Sequence, residues 1–279
     1  MSQTIATYFI GSIARRLLTQ TQRASVVGVA RQGVFLSLLS NWVLFISHEP
    51  FRGPLILNVA TESFPLQDIH TGLPVTVEDG NLYFASQNLI IHAGQATTWS
   101  VPPLPAISAA TLAERIARLE AVWGAIYQSK SIDLPLPLFE VGSPLITQLE
   151  QLIGLGSGLT PAGDDLALGF LLAVNRWGTL ISPDLAVEPL NQAMRQTARR
   201  KTTNLSASLI ECAAEGQADE RLILALDGIV TGNLAIEACV SCLSGWGNTS
   251  GLHALLGMRL AMGGFAGTIG GIPLWRKCS

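Results

Sequence analysis

The sequence predicts an α+β protein, with an antiparallel β-barrel or sandwich-like part over residues 1–105 and a mainly helical part over 106–279. Three observations predict it. As far as His92 the apolar residues stand in short runs bounded by turn dipeptides. From Thr111 they recur at three- and four-residue steps. Between the two regimes lies Val101-Pro102-Pro103-Leu104-Pro105, a stiff proline-rich connector.

In the first part, 25–30 and 33–39 are rich in Val, Phe and Leu, and Ser40-Asn41 is a turn into 42–47, which makes a hairpin. Further strands are expected at 55–59, 74–77, 81–85 and 89–92, broken by Gly53-Pro54, Thr71-Gly72 and Asp79-Gly80. Six or seven short antiparallel strands close most simply as a barrel or sandwich. In the second part, Leu112, Ile116, Leu119, Val122, Trp123 and Ile126 make 111–127 an amphipathic helix. Pro135 and Pro137 mark another connector, and helices are expected near 144–153, 161–176, 184–199, 204–215, 218–227, 232–243 and 251–263.

Composition excludes several classes. Apolar residues make up 48% of the 279 and charged residues 13%, enough for a sizeable core with some apolar surface left for an interface. A net charge of −3 gives no basic field for nucleic acid or an anionic membrane. The most apolar run, 34–46, is interrupted by Ser37, Ser40 and Asn41 and is too short to span a bilayer. Arg15 and Arg16 follow the apolar start, the wrong order for a secretory signal. Cys212, Cys239, Cys242 and Cys278 read as reduced core residues. The Cys239-x-x-Cys242 pair lies inside a helix, with no second pair to complete a zinc site. A cytoplasmic protein is expected.

The most informative stretch is 154–169, GLGSGLTPAGDDLALG. Gly154, Gly156 and Gly158 alternate. Thr160-Pro161 then reads as a helix start, with Thr as N-cap and Pro first in the helix. A glycine loop that enters a helix leaves backbone N–H groups aimed outward, which favours an anion such as phosphate. Asp164 and Asp165 would repel that anion, so either a cation such as Mg²⁺ bridges them or they hold a positively polarised part of the ligand. Asp165 precedes Gly169 by one turn and should face the packed side. Asp164, about 100° away, should cap or reach solvent.

The stretch has an echo. GDDLALGFLLA from Gly163 aligns with GLHALLGMRLA from Gly251, with five of eleven positions identical. Glycine in mid-helix is about 1 kcal/mol worse than alanine, so Gly169 and Gly257 imply a close crossing that brings the two helix starts together. Asp165 and His253 then occupy equivalent positions, as an acid–base pair or as metal ligands. A third start carries hydroxyls: Arg199, Arg200 and Lys201 precede Thr202, Thr203 and Ser206, where Thr202 or Thr203 caps a helix or the hydroxyls bind substrate. Asn248, Thr249 and Ser250 offer the same groups before Gly251. His48, His70 and His92 lie near turns in the β part and draw no assignment. No Gly-x-Ser-x-Gly, P-loop or Rossmann unit is present.

The glycine stretch resembles the signature of the AllH family, the oxamate carbamoyltransferase subunits of bacterial purine and allantoin catabolism. Two further segments resemble the same family: TTNLS from Thr202 through AAEG ending at Gly216, and GNTSG from Gly247 through LLG ending at Gly257. The resemblance covers roughly 145–263. It departs at His253, where an aspartate is expected, as a paralogue acting on another small anion would. The tail 263–279 matches no part of the pattern.

The resemblance implies reversible carbamoyl transfer, oxalurate and phosphate giving oxamate and carbamoyl phosphate, together with other carbamoyltransferase subunits. On that reading Gly154, Gly156, Ser157, Gly158 and Thr160 hold phosphate or a developing oxyanion. Thr202, Thr203, Ser206, Asn248, Thr249 and Ser250 complete substrate binding. Asp164, Asp165 and His253 carry the chemistry, or Asp164 and Asp165 hold Mg²⁺, and no organic cofactor is expected. A non-catalytic structural or regulatory subunit, and a metal-dependent hydrolase using Asp164, Asp165 and His253, are the rival readings.

Overall fold

The computed structural model describes residues 3–61, 68–107, 110–127, 145–178 and 187–270. Pro135, Pro137, Cys278 and most of the tail lie outside them. The chain divides into two compact units, Met1–Pro102 and Pro103–Ser279, and the α+β class stands.

The first unit runs β1 (Gln3–Gly11), α1 (Ser12–Gln20), β2 (Arg23–Ala30), β3 (Gly33–Ser37), β4 (Val43–Ser47), β5 (Ile56–Val59), β6 (Pro74–Glu78), β7 (Asn81–Phe84), β8 (Leu89–His92) and β9 (Thr97–Trp99). The strand order β5-β4-β3-β2-β6-β7-β8-β1 closes through pairing of β1 with β5, and β9 adds to β1. Closure leaves those eight strands without a free edge. Alternation directs Val34, Leu36, Leu44, Ile46, Val75, Val77, Leu82 and Phe84 into the core.

The expectation of purely antiparallel pairing is corrected: β1 runs parallel to β8 and β9, and β4 parallel to β5. The strand β1 and helix α1 were not resolved by local pattern. Helix α1 separates β1 from the hairpin strands, so β1 finds its neighbours far along the chain. Arg15 of α1 donates to the Gly94 carbonyl at 2.6 Å and also to that of Ala96, tying helix to barrel.

The second unit contains α2 (Leu112–Tyr127), α3 (Leu145–Leu152), α4 (Ala162–Ala173), a π-turn (Val174–Gly178), α5 (Val187–Lys201), α6 (Asn204–Ala213), α7 (Glu220–Thr231), α8 (Ile236–Ser244) and α9 (Ser250–Gly270). Helix α2 opens with a capping box. The Glu114 amide donates to the Thr111 hydroxyl at 3.2 Å, and the Glu114 carboxylate accepts from the Thr111 amide at 2.6 Å. Helix α4 is buried along nearly its whole length, so it forms the centre of the unit. None of the described helices is long and apolar enough to cross a membrane. Cys212 and Cys239 are buried, and Cys242 is half-buried on α8; all three are free thiols.

A buried ion pair locks the π-turn to α7. Arg176 donates to both oxygens of Asp227, each at 2.6 Å, and the Trp177 indole donates to Asp227 at 2.9 Å. Asp227→Ala strands a buried guanidinium and is expected to lose about 3–5 kcal/mol of stability. Urea unfolding measures it, and a loss below about 1 kcal/mol would mean the pair is solvated.

Candidate functional site

Helices α4 and α9 cross on two glycines. A Cβ at Gly169 would overlap the Ala254 carbonyl, and one at Gly257 would overlap the Leu166 carbonyl. The crossing brings the helix starts together: the Thr160 and Ser250 hydroxyls lie 3.3 Å apart. The assignment of Thr160 as N-cap is corrected. Helix α4 begins at Ala162 with Pro161 in the cap position and no side-chain cap, because the Thr160 hydroxyl is turned toward Ser250.

The loop between α3 and α4 needs its glycines. Gly154, Gly156 and Gly158 have φ of 84°, 118° and 94°, a region L side chains disfavour. Both loop ends are pinned to the start of α6. At the near end, Asp164 accepts from the Gly154 amide at 2.7 Å and from the Thr202 hydroxyl. At the far end, the Leu159 carbonyl accepts from the Thr203 hydroxyl at 2.7 Å and from Ser206 at 3.4 Å. Thr203 is also the N-cap of α6, accepting from the Ser206 amide at 3.1 Å. Between the pins, the backbone N–H groups of Gly156, Ser157, Gly158, Leu159 and Thr160 have no partner among the described residues. Gly156, Ser157 and Gly158 are exposed.

The two aspartates differ in role. Asp164 does not reach solvent: it is buried, and its bonds to Gly154 and Thr202 make it a clamp on the loop. Burial raises its pKa, opposed by hydrogen bonds from Thr202, Gly154 and Ser206. Asp165, also 2% exposed, is pushed up to about 8 by burial, with Asp164 adding to the rise and the Ser250 and Thr160 hydroxyls opposing it. At pH 7 it is mostly a neutral acid, able to donate a proton. His253, in the first turn of α9, is 7% exposed, and its Nδ1 has no partner among the described residues. Burial lowers its pKa, which favours the neutral imidazole.

Thr202, Thr203 and Ser206 thus face the loop itself. Asn248 and Thr249 are exposed beside the start of α9, and Ser250 is half-buried. The basic run points elsewhere: Arg199 pairs with Glu211, and Lys201 donates to the Glu150 carbonyl at 3.3 Å. Sequence reasoning missed the Leu159 carbonyl, a main-chain acceptor that residue type does not advertise. Among the described residues, no group of three or more His, Cys, Asp or Glu is placed to hold a metal ion. The helix starts pack closely. In the same unit a cavity of about 480 Å³ is bounded by Arg195, Gln196, Arg199, Arg200 and Glu211, and the first unit has one of about 800 Å³ bounded by residues 18, 19, 21–23 and 76–80.

Residues 152–262 match the sequence model of a family described as oxamate carbamoyltransferase subunit AllH. No curated protein and no solved structure matches the chain. The matched stretch begins at the end of α3 and runs into α9, and so contains the glycine loop, both aspartates, the α6 start and His253. Over that stretch the chain is similar to the family of oxamate carbamoyltransferase subunits that its glycine loop resembles.

Proposed function

We propose that this chain is the phosphate-binding subunit of a carbamoyl-transferring enzyme that interconverts oxalurate plus phosphate with oxamate plus carbamoyl phosphate. The observation that carries the reading is the loop of unpaired amides, fixed at both ends, inside the stretch matched by the family. Preorganised N–H donors of this kind suit phosphate and the oxyanion of an acyl-type transfer.

In the forward direction a phosphate oxygen attacks the carbamoyl carbon, the C–N bond to the oxamate nitrogen breaks, and that nitrogen takes a proton. Asp165, a neutral buried acid, supplies the proton and recovers one from the phosphate. Asp164 positions the loop. The reading uses no metal ion. The close packing of the helix starts favours a site completed by the other subunits that the family description implies.

The test is binding of carbamoyl phosphate and phosphate by the full chain, alone and with its partner subunits, followed by ³¹P NMR. Asp164→Ala removes the loop clamp and is expected to weaken phosphate binding by about tenfold, equivalent to about 1.4 kcal/mol. Absence of binding by the assembled parent would defeat the proposal.

A further inference from the structure

Helix α4 and helix α9, each with the helix and loop before it, are two copies of one structural unit. In the first copy the Leu155 amide donates to the Leu152 carbonyl and the Gly163 amide to the Leu155 carbonyl. In the second the Trp246 amide donates to Leu243 and the Gly251 amide to Trp246. Asp164 and Asp165 bond back to the Pro161 carbonyl as Leu252 and His253 bond back to that of Thr249. Gly163 backs onto the Leu152 carbonyl and Gly251 onto that of Leu243. The glycine crossing is reciprocal: Gly169 meets Ala254, Gly257 meets Leu166, and Leu166 and Ala254 are themselves equivalent. Chance likeness of two apolar helices does not reproduce matched loop bonds and reciprocal crossing contacts together.

The copies differ where chemistry is possible. The first loop is longer and holds the run of amides that have no partner among the described residues, whereas the second is a shorter, tighter turn. Asp165 is replaced by His253. Ser250, whose hydroxyl serves Asp165, has Ala162 as its counterpart, which offers the imidazole no hydroxyl. His253 is thus a residue nine-tenths buried in the first turn of a helix, with an Nδ1 that has no partner among the described residues. Such a group destabilises the free protein and gains when a ligand bonds to it.

We infer that the two copies divide the substrates: the long loop takes phosphate, and His253 of the second copy hydrogen-bonds the carboxamide of the organic acid. The inference rests on the transferase reading above. A neutral ring suits an amide, which needs hydrogen bonds and no counter-charge.

The experiment titrates oxamate and inorganic phosphate separately into the full chain with its partner subunits, by calorimetry. His253→Leu is expected to weaken oxamate at least tenfold with phosphate changed less than twofold. His253→Gln, which keeps a polar group at similar reach and guards against misfolding of the Leu variant, recovers part of the loss. Gly156→Ala, strained by a φ of 118°, is expected to do the reverse, losing phosphate and keeping oxamate. Equal losses of both ligands in either variant, unchanged oxamate binding in His253→Leu, or a parent that binds phosphate alone overturns the division while leaving the phosphate loop standing. A parent that binds neither overturns the transferase reading as well.

Discussion

Asp165→Asn is expected to abolish carbamoyl transfer and to leave the chain more stable than the parent at pH 8. The side chains match in shape, but Asn cannot deliver a proton. The stability gain follows from linkage. The Asp165 pKa rises on folding from an ordinary 3.8 to about 8. Between those values the folded state holds a proton that the unfolded state releases, so the carboxyl's contribution is fully present below pH 3.8 and lost as pH climbs to 8. Each pH unit in that window removes on the order of 1 kcal/mol. The Asn variant lacks this slope, so its melting temperature relative to the parent should climb from pH 5 to pH 8. Parallel melting curves across that range would show that Asp165 ionises normally, and the assignment of a proton donor would fall with them.

Gly169→Ala and Gly257→Ala are expected to lose at least about 3 kcal/mol each, although alanine is the better helix former by about 1 kcal/mol. The added methyl overlaps the backbone of the opposite helix, at Ala254 for one and at Leu166 for the other. A backbone carbonyl cannot rotate aside as a side chain can, so α4 and α9 must separate. Separation would also part Thr160 from Ser250 and open the site, so ligand binding should fall with stability. Gly124→Ala in α2 is the control: a Cβ there meets nothing within 4 Å, and a gain of about 0.4–1 kcal/mol is expected. Urea midpoints decide it. Crossing variants as stable as the parent would place the helices farther apart than described.

The site was legible where one residue type has one physical use. Alternating glycines before a helix announced free amides, and the structure added that all three hold positive φ. The mid-helix Gly169 and Gly257 announced a close crossing, since no other use offsets their cost. The change of hydrophobic period announced strands before the connector and helices after it. What stayed hidden depends on partners far away in the chain. Thr202 and Thr203 read as helix caps or, with Ser206, as ligand-binding hydroxyls; Thr203 is the cap, and what stayed hidden is that all three also anchor the loop through Asp164 and the Leu159 carbonyl. Asp164 read as capping or solvated, and it is a buried clamp.

The fold class, the neighbourhoods of the helix starts and the glycine crossing were readable from the chain, because periodicity, backbone freedom and steric size are local properties of the residues; the cap of α4 was not. Tertiary packing decided that β1 pairs parallel with β8 and β9, that Asp164 and Asp165 part into clamp and neutral acid, and that the His253 Nδ1 has no partner among the described residues where Asp165 has two hydroxyls. Strand direction, desolvation and hydrogen-bond supply are set by whatever other segments bring alongside, and no short-range pattern encodes them.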